Sequence, residues 1–464
     1  MTETAAAPGR VRSPLAAGWG VALRRALLAF GALLALAEIA ALAVYALGGT
    51  GLSIGSALRV GGFELAAFHR IPLRLSVEGD ALARLVEVLG GTAREAEVRA
   101  ELAVAPLAVT ALAAWVLWRG GRAVAGTVGG EPLARALHGA KVAPIYAGAV
   151  FLVCLVVRVR VPVLEGSPTP GSADLSLALW PALFLPLLLA LVAGAAGGWW
   201  SSAPRERTRV ARAALAGGWT MLVAGLALSY AGLFVAGVVR PDGGEAMLTP
   251  STGRYFQTVF ERPAEGAIVL AHHLALAPNE AAWVLVPAMG GCTGSFPNEG
   301  EPDRSLCYGR FPEDVAIPAW ILPPSATAGP VATTRFGTAP APYFLFLLVP
   351  LAAAMLGGRR AAALGLDEGV SVSDRRAVFL GVAAGAVSSV LVVVVGWAAS
   401  ISVSGSLTLD GVTDPSGATR VGPGLLLGGL LALGGGMVGG AVGALVTSRS
   451  TRAARSRAGS RRAR

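Results

Sequence analysis

The chain has 464 residues, of which 54% are hydrophobic and 14% charged, and its mean hydropathy is +0.63. A soluble domain carries about 25% charged residues, so this composition excludes a soluble enzyme, a disordered chain and a coiled coil. The formal charge is +10, from 38 basic and 28 acidic residues, but that surplus does not argue for nucleic acid before the apolar sequence has been placed.

A helix needs about 20 apolar residues to cross a bilayer. Stretches near that length lie at residues 26–48, 102–118, 142–157, 175–197, 216–239, 342–356, 377–399 and 421–446. The first is longer than the apolar core of a signal peptide, so it reads as an uncleaved anchor. Pro181, Pro186 and Pro350 are expected to kink the fourth and sixth. Basic residues set the orientation. With the N-terminus inside, Arg24, Arg25, Arg119, Arg122, Arg359, Arg360 and the arginine-rich tail all fall on the cytoplasmic side, while the acidic residues concentrate outside. The expected fold class is an all-α polytopic plasma-membrane protein with about eight transmembrane helices and both ends cytoplasmic. Residues 1–25 form a cytoplasmic N-terminus. Residues 26–239 hold helices one to five with an outside segment at 50–101. An extracytoplasmic domain occupies 240–341, helices six to eight 342–447, and a cytoplasmic tail 448–464.

In the first outside segment, residues 53–69 have helical apolar spacing suited to the interface. Residues 71–77 alternate weakly like a strand, and the mixed charges of 84–101 read as a solvated helical face. The second outside segment has the size of a small domain. Within it, 267–289 is apolar but interrupted at Pro278 and Asn279. Proline ends one helix at the residue before it and asparagine can cap the next. This broken-helix motif, with Trp283 one turn on, is expected to form a re-entrant or interfacial hairpin. Cys292 and Cys307 share this region and are expected to form a disulfide in an oxidising compartment, whereas Cys154 reads as a packed thiol.

Few residues suggest chemistry. Glu38 is the one ionisable side chain well inside a confident span, on a stripe with Gly31, Ala35, Leu42 and Tyr45. Such a carboxyl is either a proton or cation site or a protonated group hydrogen-bonded to a neighbouring helix. The lack of a charged partner in another span favours the second. Neighbouring His272 and His273 point about 100° apart on a helix, and zinc needs three or four ligands, so no metal is expected. Gly435, Gly439 and Gly443 repeat at the spacing that lets helices approach closely, within the bundle or in a homo-oligomer. The tail reads as a lipid-surface segment, not a nucleic-acid arm. No P-loop, dinucleotide fingerprint, zincin motif or nucleophile elbow is present, so neither cofactor nor catalytic residue is expected. The spans show no convincing inverted repeat, and the interrupted segment has no visible twin.

Two groups of residues are familiar. One is Ala57-Leu58-Arg59-Val60-Gly61-Gly62, His69-Arg70-Ile71-Pro72-Leu73, Ala105-Pro106-Leu107-Ala108-Val109-Thr110 and Arg119-Gly120-Gly121-Arg122. The other is Leu276-Ala277-Pro278-Asn279-Glu280-Ala281-Ala282-Trp283. They resemble actinobacterial polytopic membrane proteins of the streptophobe type and the PerM-like cell-division type. The resemblance implies a multi-pass plasma-membrane protein of envelope maintenance. Together these readings make the expected function a non-enzymatic envelope accessory or scaffold, with the bilayer and an envelope protein or second copy as partners. The alternative is a transporter or flippase that uses Glu38.

Overall fold

The computed structural model describes residues 17–48, 54–78, 96–128, 130–163, 171–202, 206–239, 263–297, 304–307, 315–316, 333–334, 345–365, 373–409 and 412–462. Its helices are α1 (Trp19–Gly48), α2 (Ile54–Ala67), α3 (Leu107–Val128), α4 (Pro132–Ala140), α5 (Val142–Val156), α6 (Leu179–Trp200), α7 (Glu206–Val239), α8 (Pro263–Ala288), α9 (Leu348–Gly365), α10 (Asp374–Ala399) and α11 (Leu425–Arg462). Among the described residues, seven helical segments are long and apolar enough to cross a membrane: Trp19–Ala43, Pro132–Val156, Leu179–Trp200, Arg209–Gly232, Leu345–Gly365, Asp374–Ala399 and Leu425–Ala454. The protein is thus mostly helical and multi-pass in character, as composition implied. The expected span at 102–118 divides between a strand and α3, whose second half carries Arg119 and Arg122.

The expected helical, multi-pass character holds, and among the described residues ten strands accompany the helices. They are β1 (Leu73–Glu78), β2 (Ala96–Ala103), β3 (Val159–Val163), β4 (Gly171–Leu177), β5 (Cys292–Pro297), β6 (Arg304–Cys307), β7 (Val315–Ala316), β8 (Thr333–Thr334), β9 (Ile401–Leu409) and β10 (Val412–Pro423). Eight of them form one antiparallel sheet in the order β3-β4-β1-β2-β9-β10-β5-β6. β1 and α2 match their expected types. Of the mixed charges at 84–101, the described ones do not lie on a helix: Glu97, Arg99 and Glu101 alternate along β2, on the same face as Arg74. Period-2 and period-3.6 placement both put opposite charges within a few residues of each other, so the charge pattern alone does not separate strand from helix. Residues 79–95 lie outside the described set.

The sheet is two-faced. One face collects Val159, Leu175, Leu75, Ala100 and Val403, with Leu73, Leu177 and Leu102 in one row. The other bears Arg74–Glu101 at 2.7 Å and Asp174 between Arg158 and Arg160 at 2.8 and 3.1 Å. These hydrogen bonds hold the Asp174 carboxyl below the usual carboxylate range. Such exposed pairs contribute little stability.

The chain is an internal duplication. In the first half α1 packs on α2, α3 and α5, and α6 packs on α3 and α5. In the second, α7 packs on α8, α9 and α10, and α11 packs on α9 and α10. Each half places one hairpin after its short helix (β1-β2, β5-β6) and another before its last helix (β3-β4, β9-β10). The strand order β3-β4-β1-β2 is matched by β9-β10-β5-β6. Even the register agrees, since Leu73 faces Leu177 where Thr293 faces Pro423. Both short helices also end in the same turn. Arg70 (φ 58°) and Gly290 (φ 95°) are left-handed, and the next residues, Ile71 and Gly291, donate their N–H to the carbonyls of Ala66 and Val286. That is a helix C-terminal cap that satisfies otherwise orphaned carbonyls. The twin of the 267–289 segment is therefore α2.

α8 is a single helix through Pro278, not two half-helices, so the hairpin expectation is overturned. Proline removes one N–H, but Asn279 is not needed as a cap and serves a partner helix instead. Glycine allows the closest helix contacts in both halves. A Cβ on Gly121 would overlap the Gly194 carbonyl, and one on Gly358 would overlap that of Gly440.

Candidate functional site

Five of the buried polar residues, His69, Arg70, Asn279, Thr293 and Ser400, gather at the base of the sheet, where the two halves meet. Asn279 is buried on α8 of the second half, yet it bonds the first half. Leu107 donates its backbone N–H to Asn279 Oδ1 at 2.9 Å, and Nδ2 donates to the Ala105 carbonyl at 2.7 Å. Leu107 opens α3, and the first N–H groups of a helix have no internal partner. Asn279 thus caps a helix far away in sequence. Trp283, one turn on, donates Nε1–H to the Ala399 carbonyl at 3.0 Å, and Thr293 donates to the Trp283 carbonyl at 2.8 Å.

The C-terminus of α10 gathers the cations. Arg70 donates from one guanidinium nitrogen to the Ser400 carbonyl (3.1 Å) and to Ser402 Oγ (2.8 Å), and it lies 4.2 Å over the Trp397 ring. Arg420 donates to Ser400 Oγ at 2.9 Å and to the Pro423 carbonyl at 2.8 Å. The last carbonyls of a helix lack partners and carry partial negative charge, which suits a cation. Burial, followed by the charge of Arg420, pulls Arg70 down to about 10, so it remains a cation at neutral pH.

Next to Arg70, His69 is fully buried. Its Nδ1 lies 2.8 Å from the Leu65 carbonyl and its Nε2 lies 2.7 Å from Tyr146 Oη. A carbonyl only accepts, so Nδ1 carries the proton. Burial pushes His69 down to about 4. The ring is therefore neutral, and Nε2 accepts from the Tyr146 hydroxyl. Thr110 completes the seam by donating to the Phe68 carbonyl at 2.8 Å. Almost every donor here is committed to backbone or to another side chain, which makes the arrangement a clamp between helix ends.

The expected site residues are scattered around this clamp. Asn279 and Trp283 belong to it, and Pro278 precedes them on α8. Glu38 sits elsewhere: its carboxyl lies against Gly61 of α2, where a Cβ would overlap it. Its Oε2 is buried without a hydrogen-bond partner among the described residues, and Tyr45 does not reach it. Cys292 faces Cys307 directly in the β5–β6 register, and Cys154 is a buried free thiol. Gly439 rests on Ala354 and Gly443 on the Met355 carbonyl, so both serve packing within the bundle, whereas a Cβ on Gly435 would meet open space. The side chains of His272 and His273 lie outside the described set. The tail, beyond Ser448, continues α11 as helix, and Arg452 reaches Asp374 at 2.8 Å.

Sequence reasoning missed Tyr146, Trp397, Ser400 and Arg420. The available signal was His69-Arg70 directly after an apolar helix and before Pro72, a helix-end position where a buried cation needs a partner. Comparison with family models, curated proteins and solved structures finds no match.

Proposed function

We propose that this is a non-enzymatic accessory protein of the plasma membrane, whose sheet stands outside as a docking platform for an envelope protein partner. The observation that carries the reading is one sheet running through both halves, along one face of which Leu175, Leu75 and Ala100 are half-buried and Val403 is exposed. Apolar side chains that keep accessible surface on a rigid support suit an interaction surface. Support for rigidity comes from β2–β9, paired over eight positions from Ala96 to Ala103, and from the Asn279 and Arg70 bonds between halves. Alternating access needs repeats that rock against each other, and a continuous sheet across both halves opposes that motion. The sidedness follows from Arg24, Arg25, Arg359 and Arg360, which lie toward the helix ends remote from the sheet; basic residues stay cytoplasmic. In this arrangement α3 is the eighth span, both termini are cytoplasmic, residues 240–341 are extracytoplasmic, and Cys292 and Cys307 form a disulfide there.

Crosslinking in intact cells followed by purification in mild detergent tests the reading. A stoichiometric membrane or envelope protein, lost on Leu75→Glu together with Val403→Glu, is the expected result. A monomer that carries solute into liposomes, and loses that activity on Glu38→Gln, would replace it with the transporter reading, which the unpartnered Glu38 oxygen favours. The disulfide is checked separately: neither Cys292 nor Cys307 should take up a maleimide before reduction, and both should afterwards.

A further inference from the structure

We infer that the second half of the bundle holds a hydrocarbon-chain site, an apolar cavity that receives one chain of a membrane lipid. The inference rests on the reading that these helices cross a bilayer. The cavity has a volume of about 250 Å³ and is lined by residues on or next to α7, α8, α9, α10 and α11. Its lining side chains are apolar apart from Ser388 and include those of Ala288, Met289 and Ala354, with the backbone bare at Gly225 and Gly435. Apart from Ala288 and Met289, all of these lie within candidate spans. Gly435 and Leu351 are exposed, so the mouth opens between α9 and α11 on the outside of the bundle, where hydrocarbon would surround it.

The duplication shows that the fold itself does not require this space. Gly139 and Gly121 abut the Gly194 carbonyl just as Gly381 and Gly358 abut that of Gly440, which fixes the correspondence of the halves. Counting from these anchors, Tyr146 corresponds to Ser388, Leu117 to Ala354 and Leu189 to Gly435. The shared turn after α2 and α8 aligns Phe68 with Ala288 and His69 with Met289. The buried stripe Ala22, Ala26, Ala29, Leu33, Ala37 of α1 repeats in α7 as Ala214, Gly218, Met221, Gly225, Ser229, which aligns Leu33 with Gly225. In the first half Leu33, Leu117 and Tyr146 are among the largest fully buried side chains. In the second, each gives way to a smaller residue, and what Tyr146, Phe68 and Leu117 fill is left open.

An open apolar void forfeits the dispersion contacts of its lining. An engineered apolar cavity of about 150 Å³ stays dry and takes benzene, so the larger space here takes several methylenes. In a bilayer the occupant at hand is a lipid chain, and packing, not water exclusion, holds it.

The test uses the full chain in vesicles of phosphatidylethanolamine and phosphatidylglycerol, doped with phosphatidylglycerol bearing a mid-chain diazirine. Flotation with the vesicles checks insertion, and a protein that does not float overturns the inference together with the membrane reading. After illumination, label is expected on the α9 and α11 peptides that contain Leu351 and Gly435. Gly435→Leu should reduce it at least about tenfold, since losing the contacts of two buried methylenes already corresponds to that ratio. Ala288→Phe, which restores the first-half residue, should do the same without loss of thermal stability, so either variant suffices if the other fails to fold. Equal labelling of the wild type and a folded filled variant, or no label at these peptides in floated protein, overturns the site. Mass analysis of lipid retained through purification distinguishes a phospholipid acyl chain from a polyisoprenoid chain as its source.

Discussion

Replacing Asn279 by alanine removes a side chain that ties the start of α3 to the second half by hydrogen bonds. The side chain is buried and spends both ends of its amide on backbone: Oδ1 on the Leu107 N–H and Nδ2 on the Ala105 carbonyl. The alanine variant leaves a buried donor and a buried acceptor without partners, each costing about 1–3 kcal/mol, so a total of about 3 kcal/mol is expected. For a chain of this size the melting temperature moves by about 2 °C per kcal/mol, which gives a fall of about 6 °C in detergent. Asn279→Asp should be at least as damaging, because a carboxylate oxygen would then face the Ala105 carbonyl. The loss should also be local, with the Leu107 amide exchanging faster while amides in the middle of α5 stay protected. A melting temperature within about 1 °C of wild type, with Leu107 still protected, would refute the capping role.

His69 predicts a pH dependence. Its folded value near 4 lies below the ordinary 6.5, so the folded state favours the neutral ring. That stability is fully present above about pH 6.5 and is lost as pH falls towards 4, by about 3 kcal/mol in all. Urea titrations across that range should show the loss in wild type and a flatter profile in His69→Gln. Glycine substitutions should divide by contact: Gly121→Ala and Gly358→Ala each meet a backbone carbonyl and should destabilise by about 1–3 kcal/mol or more. Gly435→Ala meets nothing and should be neutral or stabilising by up to about 1 kcal/mol, and melting curves separate the cases.

The helices were largely legible because a run of apolar residues has one reading in a membrane-sized stretch. α1, α6 and α10 fall close to their sequence boundaries for this reason. The sheet was not legible, because its strands are short, rich in serine, threonine and glycine (as in β9), and pair across the whole length of the chain. The duplication was hidden as well: Gly225 standing where Leu33 stands, or Gly290 where Arg70 stands, preserves backbone geometry without preserving residue type. Within the site, Asn279 and Trp283 stood out as polar breaks in an apolar run. Tyr146 did not, since a phenol inside an apolar helix announces no partner, and only the fold brings His69 to it.

The two halves of the sheet follow one another by a step along it. The order β3-β4-β1-β2 is followed by its copy in the same direction, joined through β2 and β9. A two-fold axis would have reversed the second set. The contact between halves is therefore head-to-tail, and a contact of that kind does not close on itself. A chain carrying one half alone would expose both complementary edges and add further copies without limit. Among the described strands, fusion of two halves leaves a single pair of such edges, β3 and β6. The outer strand β3 is marked by Arg160 and by Pro162, which has no N–H to offer, and charge and proline on an edge strand block further pairing. The arrangement is a two-unit segment of an open polymer, terminated at β3 by its own edge chemistry.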